Sequence, residues 1–188
     1  QINFAGREVK CKIVYYGPGL SGKTTNLEFI HRRVPDTARG QMTSIATDQD
    51  RTLFFDFMPL DLGTVAGMKT KLLLYTVPGQ VYYAGTRKLV LQGADGVVFV
   101  ADSDPSRMTD NLDSLRDMEQ NLKECGLDGG KSPVVMQFNK RDLPGALSLA
   151  ELQAKLNPAG VPSFEAVAVK GEGVMQTLKA ISRAVIDK

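Results

Sequence analysis

The segment GPGLSGKTT, residues 17–25, carries the residue types that bind phosphate groups. It fits both the G-x-G-x-x-G fingerprint of dinucleotide-binding proteins and the G-x-x-x-x-G-K-T phosphate loop of nucleoside triphosphatases. Lys23 and Thr24 favour the second template, because a triphosphate needs a cation at its β and γ phosphates and a hydroxyl for Mg²⁺. The dinucleotide interpretation also needs an acidic residue about 20 residues further on, and residues 40–47 contain none. We therefore expect a triphosphate loop whose contact residues are Gly17, Gly19, Leu20, Ser21, Gly22, Lys23, Thr24 and Thr25, with Thr24 as a metal ligand.

A second segment, NKRD at residues 139–142, directly follows an apolar run. The carboxylate of Asp142 can accept hydrogen bonds from both donors on the guanine edge, whereas adenine offers no such pair. Asn139 can pin the loop, and the stem of Lys140 can cover the base. Ligands of open α/β sheets bind at the carboxyl ends of the strands, which is where this segment lies. The sequence therefore favours GTP and GDP as ligands and argues against an ATPase.

Strands and helices that would position these segments alternate along the chain. Short apolar runs at 9–16, 96–102 and 133–139 are typical of strands buried on both faces. Residues 51–57 and 68–77 predict an antiparallel pair, because their link is too short for a helical crossover. A last strand is expected at 164–169, and helices at 24–34, 105–125, 149–156 and 174–186. This order predicts one α/β domain over residues 1–188, a three-layer sandwich with a mostly parallel sheet and one antiparallel strand.

The amino-acid composition argues against several classes of function. A formal net charge of +2 is too small for a nucleic-acid partner. One histidine and two cysteines without a C-x-x-C pair exclude a structural zinc site. No apolar run is long enough to span a membrane, so we expect no integral membrane segment. The cysteine usage favours a reducing, cytoplasmic location.

Two further segments resemble the nucleotide site of Ras-like GTPases. In TVPGQ, residues 76–80, Gly79 stands where the γ-phosphate sensor is found and Gln80 where a glutamine orients the attacking water. Thr76 replaces the usual aspartate of that motif, which holds Mg²⁺ through water. The segment EAVAVKGEGV, residues 165–174, resembles the last guanine loop, in which the N–H of Ala168 would reach the base oxygen.

More specifically, the chain resembles the bacterial MglA family of gliding-motility and cell-polarity GTPases. The segments that carry this resemblance are IVYYGPGLSGKTTNL, DRTLFFDF, LYTVPGQVYY, RKLVLQGADGVVFVADS and NKRDLP. It implies the fold of a small G protein, GTP/GDP switching with Mg²⁺, and a role in cell polarity or gliding motility, with recruitment to a cell pole. It also implies effectors and an activator dimer of the roadblock fold, similar to MglB, that stimulates a slow intrinsic GTP hydrolysis.

The same resemblance implies roles for Arg51 and Thr52. Arg51 would act as an internal arginine finger, and Thr52 would meet Mg²⁺ and the γ-phosphate. Spacing alone leaves the switch threonine open among Thr43, Thr47 and Thr52, and leaves Arg51 as an alternative solvated residue at the start of a strand.

Two questions remain open in the sequence. Asp56 could point into the metal site in place of the acid missing at Thr76, face solvent, or pair with Lys69 or Lys71. The missing acid also leaves a nucleotide-holding scaffold without turnover as the alternative to a hydrolysing switch.

Residues 35–50 are expected to form a mobile loop, and exposed parts of 35–50 and 81–90 to carry partner specificity.

Overall fold

The computed structural model of the protein describes residues 1–45, 55–80 and 84–188. The strands of the described part are β1 Ile2–Asn3, β2 Glu8–Tyr16, β3 Thr43–Ile45, β4 Phe55–Val65, β5 Met68–Thr76, β6 Gly96–Asp102, β7 Val134–Asn139 and β8 Ser163–Glu165. The α-helices are α1 Lys23–Arg33, α2 Ala84–Leu91, α3 Met108–Glu124, α4 Leu149–Leu156 and α5 Val174–Ile186. Short 3-10 turns cover Asp36–Ala38, Pro105–Arg107 and Ala168–Lys170.

One sheet holds all of these strands, in the order β3-β4-β5-β2-β6-β7-β8, with β1 beside β2. Strands β5, β2, β6, β7 and β8 pair in parallel. Strand β4 runs antiparallel to β5, as predicted, and the short β1 also runs antiparallel to β2. The order of the parallel strands reverses at β2, so the residues that follow β2 lie at the point where open α/β sheets bind ligands.

Helices cover both faces of the sheet and confirm the predicted α/β sandwich. Alternate residues of a strand point to opposite faces, and Ile13 packs in one core while Val14 packs in the other. The first core joins the sheet to α1 and α5, and the second joins it to α2, α3 and α4. None of the helices in the described ranges is long and apolar enough to cross a membrane.

The structure differs from the sequence prediction in several elements. Strand β4 extends to Val65, beyond the expected end at residue 57, because it stays paired with β5 up to the turn before Met68. The strand expected at 164–169 is the shorter β8, and a 3-10 turn follows it at Ala168–Lys170. Helix α2 lies where only an exposed segment was expected; two of its four buried residues, Thr86 and Arg87, are polar, so its hydropathy pattern does not stand out. The expected loop at 35–50 contains a 3-10 turn and β3, and its residues 46–50 lie outside the described part. The helix expected at 105–125 begins as a 3-10 turn, where Asp104 accepts a 2.9 Å hydrogen bond from the N–H of Ser106.

Candidate functional site

The phosphate loop connects the carboxyl end of β2 to the first turn of α1. Gly22 precedes α1 with a positive φ of 106°, and a Cβ at this position would lie 2.2 Å from Nδ2 of Asn139. Only glycine therefore fits here, because any side chain would meet the second predicted segment of the site. Free backbone N–H groups at a helix start attract anions, so the loop is shaped for phosphate.

Lys23 is the first residue of α1, and only 6% of it is exposed. Its ammonium group donates hydrogen bonds to the carbonyl oxygens of Gly17, at 2.9 Å, and Pro18, at 2.7 Å. Burial, followed by the positive charges of Arg87 and Arg107, lowers the pKa of Lys23 to about 7. A buried ammonium group without a carboxylate salt bridge in the described structure is one whose charge a bound anion would compensate.

Three hydroxyl groups converge on the carboxylate of Asp56, a residue of β4 that is only 8% exposed. Oγ1 of Thr24 donates to Oδ2 over 2.6 Å, and Oγ1 of Thr76 lies 3.0 Å from the same oxygen. Ser44 donates to Oδ1 over 2.8 Å. Thr76 also accepts a 2.8 Å hydrogen bond from the N–H of Asp56, so the two strands fix this arrangement together.

Asp56 therefore points into the site rather than toward solvent or a neighbouring lysine. Lys71, one of the alternative partners, instead forms a 3.0 Å ion pair with Glu8. In the described residues, no group of three or more His, Cys, Asp or Glu side chains could hold a metal ion on its own. One buried carboxylate beside hydroxyl oxygens is, however, the kind of donor set that Mg²⁺ accepts when substrate phosphates and water complete its shell. The residues present therefore fit a phosphate-bound Mg²⁺.

Asn139 joins the phosphate loop to the loop after β8. It is 3% exposed, and its Nδ2 donates to the carbonyl oxygen of Ser21 over 2.8 Å. Its Oδ1 accepts a 2.9 Å hydrogen bond from the N–H of Ala168. The loop-pinning function that we expected of Asn139 matches this geometry. The N–H of Ala168 differs from the expectation: in this structure it donates to Asn139, so it does not stand free for a base oxygen.

Lys140 and Asp142, the residues that the sequence analysis expects at the base, follow the carboxyl end of β7 at the same end of the sheet. Lys140 adopts a positive φ of 64°, and its ammonium group donates to Oδ2 of the buried Asp102 over 2.6 Å. Asp142 is exposed, and in the described structure its carboxylate accepts no hydrogen bond from the protein. The N–H of Arg141 donates to the carbonyl oxygen of Ala166 over 3.1 Å, which ties the two base-side loops together.

The loop that carries Gly79 and Gln80 lies directly against the phosphate loop. A Cβ at Gly79 would be 2.2 Å from the backbone nitrogen of Gly19, so no larger residue could approach so closely. Gln80 is exposed, and its carbonyl oxygen accepts a 2.5 Å hydrogen bond from Arg87. A cleft of about 700 Å³ opens beside these residues, between the phosphate loop and α3.

The structure brings most of the predicted site residues to one end of the sheet. Ser21 is buried, Thr25 lies on the first turn of α1, and Leu20 is 87% exposed with a positive φ of 64°. Arg51 and Thr52 lie outside the described residues. Sequence reasoning missed Ser44, Asp102, Arg87 and Arg107, whose places in the site depend on tertiary contacts.

Comparison with known proteins agrees with this geometry. The sequence model of the ADP-ribosylation factor family matches residues 2–185. "Mutual gliding-motility protein MglA" of Myxococcus xanthus (strain DK1622) is 53% identical over 185 residues, which are 98% of this chain and 95% of that protein. "ADP-ribosylation factor-like protein 6" of Caenorhabditis briggsae is 28% identical over 182 residues, 92% of this chain and 85% of that protein.

Proposed function

We propose that the protein is a GTP/GDP switch in bacterial cell polarity or gliding motility. The chain belongs to the ADP-ribosylation factor family and, within it, to the MglA-type small GTPases, and this membership is the basis of the proposal. Proteins of this family bind guanine nucleotides and hydrolyse GTP to GDP and phosphate, so the chain is a GTPase.

The buried Lys23 is the single observation that carries the nucleotide-binding part of the proposal. Its ammonium group is removed from water and is held by two carbonyl oxygens at the mouth of the phosphate loop. Burying a cation without a counter-charge costs several kcal/mol, on the order given by ion transfer into protein interiors. The β and γ phosphates of GTP would supply that counter-charge, and Asp142 would select guanine by accepting from its two edge donors.

Thr24, Thr52 and Asp56 are the residues that we propose to hold Mg²⁺. Thr24 would contribute its hydroxyl directly, and the carboxylate of Asp56 would act through water in place of the aspartate that Thr76 replaces. Mg²⁺, when bound, neutralises charge on the β and γ phosphates. The 2.6 Å contact between Thr24 and Asp56 supports this assignment, because it brings the proposed ligand and the carboxylate together.

Gln80 and Arg51 are the residues that we propose for hydrolysis. Gln80 would orient the attacking water, and Arg51 would stabilise the charge that develops on the transferred phosphoryl group. An arginine supplied by the chain itself must be aimed by the loop that carries it. A roadblock-fold dimer similar to MglB would accelerate hydrolysis by directing Arg51 toward the nucleotide. We further propose that the protein works in the cytoplasm, where it is recruited to a cell pole and recognised by effectors.

Single-turnover GTP hydrolysis, with and without a roadblock-fold partner, tests this proposal. Arg51→Ala and Gln80→Leu should each remove the stimulated reaction while leaving GTP affinity within a few-fold of the unsubstituted protein. An arginine finger contributes roughly 10³–10⁵ in rate, so the loss is easily measured. A stimulated rate that survives Arg51→Ala would contradict the internal finger.

The alternative function, a nucleotide-holding scaffold, makes the opposite prediction. It requires that the pure protein release no phosphate from bound GTP in either the presence or the absence of the partner. The contacts of Asp56 argue against it, because its carboxylate lies 2.6 Å from Oγ1 of Thr24 and 3.0 Å from Oγ1 of Thr76 and could take the part of the missing acid.

A further inference from the structure

A chain of hydrogen bonds connects the end of β2 to the loop that carries Gln80. Tyr16, the residue before the phosphate loop, donates its hydroxyl to Oδ2 of Asp117 on α3. The same oxygen accepts a hydrogen bond from Nε of Arg87 on α2, 2.7 Å away. Nη1 of Arg87 donates to the carbonyl oxygen of Gln80 over 2.5 Å and lies 3.5 Å from that of Pro78.

Arg87 can adopt few other positions. Its side chain is only 9% exposed, and a buried guanidinium group is stable only where carboxylate and carbonyl oxygens satisfy it. Asn121 fixes the other end of the network, because its Nδ2 donates to the Tyr16 hydroxyl oxygen over 3.0 Å. Burial raises the pKa of Tyr16, so its hydroxyl remains a donor to Asp117 at neutral pH.

Only the backbone of Gln80 is held in this way. The residue is exposed, and its side chain makes no hydrogen bond within the described structure. The carbonyl group of Gln80, held by Arg87, and the neighbouring Gly79, which lies directly against Gly19, therefore limit the positions that the Gln80 side-chain amide can occupy. Small misplacements of a group that orients a reactant cost large factors in rate.

We propose that Arg87 is a positioning residue for GTP hydrolysis, which holds the Gln80 backbone against the phosphate loop through its ion pair with Asp117. The inference rests on the proposed function of Gln80. Arg87 would act mainly on the chemical step, because its hydrogen bonds go to the Gln80 loop and α3, not to Lys23, Asn139 or Asp142. Its link to the phosphate loop is the electrostatic effect of its charge on Lys23, which makes no hydrogen bond to it, so we expect only a small change in nucleotide affinity.

The test is single-turnover hydrolysis of bound GTP, measured beside GDP affinity. Arg87→Ala should slow hydrolysis by about 10- to 100-fold, the range expected for a displaced orienting group, while GDP affinity changes by less than threefold. Asp117→Asn keeps the shape of the side chain that contacts Tyr16 and Arg87 but removes its charge, so it should slow hydrolysis by a smaller factor than Arg87→Ala. Arg116→Ala is the matched control: it lies next to Asp117 on α3 with a 73% exposed side chain, and its rate should equal that of the unsubstituted protein.

The decisive comparison is made in the Gln80→Leu background. If Arg87 acts through Gln80, adding Arg87→Ala or Asp117→Asn to Gln80→Leu causes no further loss of rate. An additive loss, an unchanged rate in Arg87→Ala, or a parallel fall in GDP affinity overturns the inference. Asp117→Asn supplies the same comparison if Arg87→Ala does not fold. A failure of the proposed role of Gln80 gives a different result from a failure of the Arg87 inference alone. In that case Gln80→Leu by itself hydrolyses GTP at the rate of the unsubstituted protein, and both proposals are wrong.

Discussion

Lys23 shows how one residue couples ligand binding to protons. Burial lowers its pKa to about 7 in the free protein, so at pH 8 the amine is mostly neutral. Phosphate oxygens at the ammonium group would restore the charged form. We predict that GDP binding at pH 8 takes up about one proton at Lys23, and that this uptake disappears at pH 6, where the free amine is already charged. Calorimetric titration in buffers of different ionisation enthalpy measures the uptake; a value near zero at pH 8 would contradict the prediction.

Asp142 is expected to decide which base is bound. Its exposed carboxylate accepts no hydrogen bond from the described protein, so it is available to both donors of guanine. Asp142→Asn places an amide donor opposite the two guanine donors. The substitution should weaken GTP binding by about 2–4 kcal/mol, because two desolvated hydrogen bonds to guanine are lost. It should also shift the base preference toward xanthine nucleotides. Competition titration with GTP, ATP and xanthosine triphosphate measures this. Asp128→Asn removes an equal charge at an exposed position distant in sequence and should change nothing; equal affinity for ATP and GTP in the unsubstituted protein would refute the assignment.

Strand β4 brings a carboxylate to the start of α1, which is 32 residues away in the sequence. Mg²⁺ held near Asp56 should slow nucleotide release, and hydrogen bonds to charged groups contribute about 1.5–3 kcal/mol. We predict that Asp56→Asn speeds GDP release in Mg²⁺ by about tenfold or more, and leaves the rate in EDTA unchanged. Release of a fluorescent GDP analogue measures both rates. Asp61→Asn, an exposed carboxylate on the same strand, is the control.

The EDTA arm separates a metal role from a structural one. If Asp56→Asn speeds release equally with and without Mg²⁺, the carboxylate supports the nucleotide site through Thr24 and Ser44 alone. That result would remove Asp56 from the metal site while leaving the triphosphate loop intact.

The elements that could be predicted from sequence are those with long periodic patterns or fixed loop chemistry. Helices α4 and α5 have the predicted bounds. The position of Lys23 follows from the phosphate-loop motif between β2 and α1, and that of Asn139 from the NKRD motif at the end of β7. Asp56 lies in phase with the buried Met58 and Leu60 of β4, but Phe55 and Phe57, which flank it on the opposite face, are also apolar and obscure the alternation. The phase of β4 becomes clear only when its pairing with β5 is known.

The burial of Arg87 and its contacts in the site could not be predicted from sequence patterns. An arginine on a short helix is usually a solvated residue. Its burial depends on Asp117, 30 residues further along the chain, and on the carbonyl group of Gln80. No local spacing relates these groups, because they meet only when α2 packs on α3.

A buried polar network links the sheet to both helices that cover one of its faces. Gln137 of β7 is fully buried; its Nε2 donates to Oδ1 of Asn26 over 2.9 Å and to Oγ1 of Thr177 over 3.0 Å. Asn26 returns a 2.8 Å hydrogen bond to Oε1 of Gln137 and also donates to the carbonyl oxygen of Gly22 over 2.8 Å. The network therefore connects α1, β7 and α5 at the base of the phosphate loop.

Because every member of this network is buried, removing its centre leaves polar groups without partners. Gln137→Met keeps the volume of the side chain but deprives the Asn26 amide of both bonds to Gln137, so we predict a loss of about 2–4 kcal/mol in the free energy of unfolding. Urea denaturation in saturating GDP and Mg²⁺ measures it, with Gln176→Met on the exposed face of α5 as the matched control. GDP affinity should fall by a smaller free energy, because Asn26 retains its bond to Gly22. A destabilisation no larger than that of the control would show that the sheet and its two helices are held by apolar packing alone.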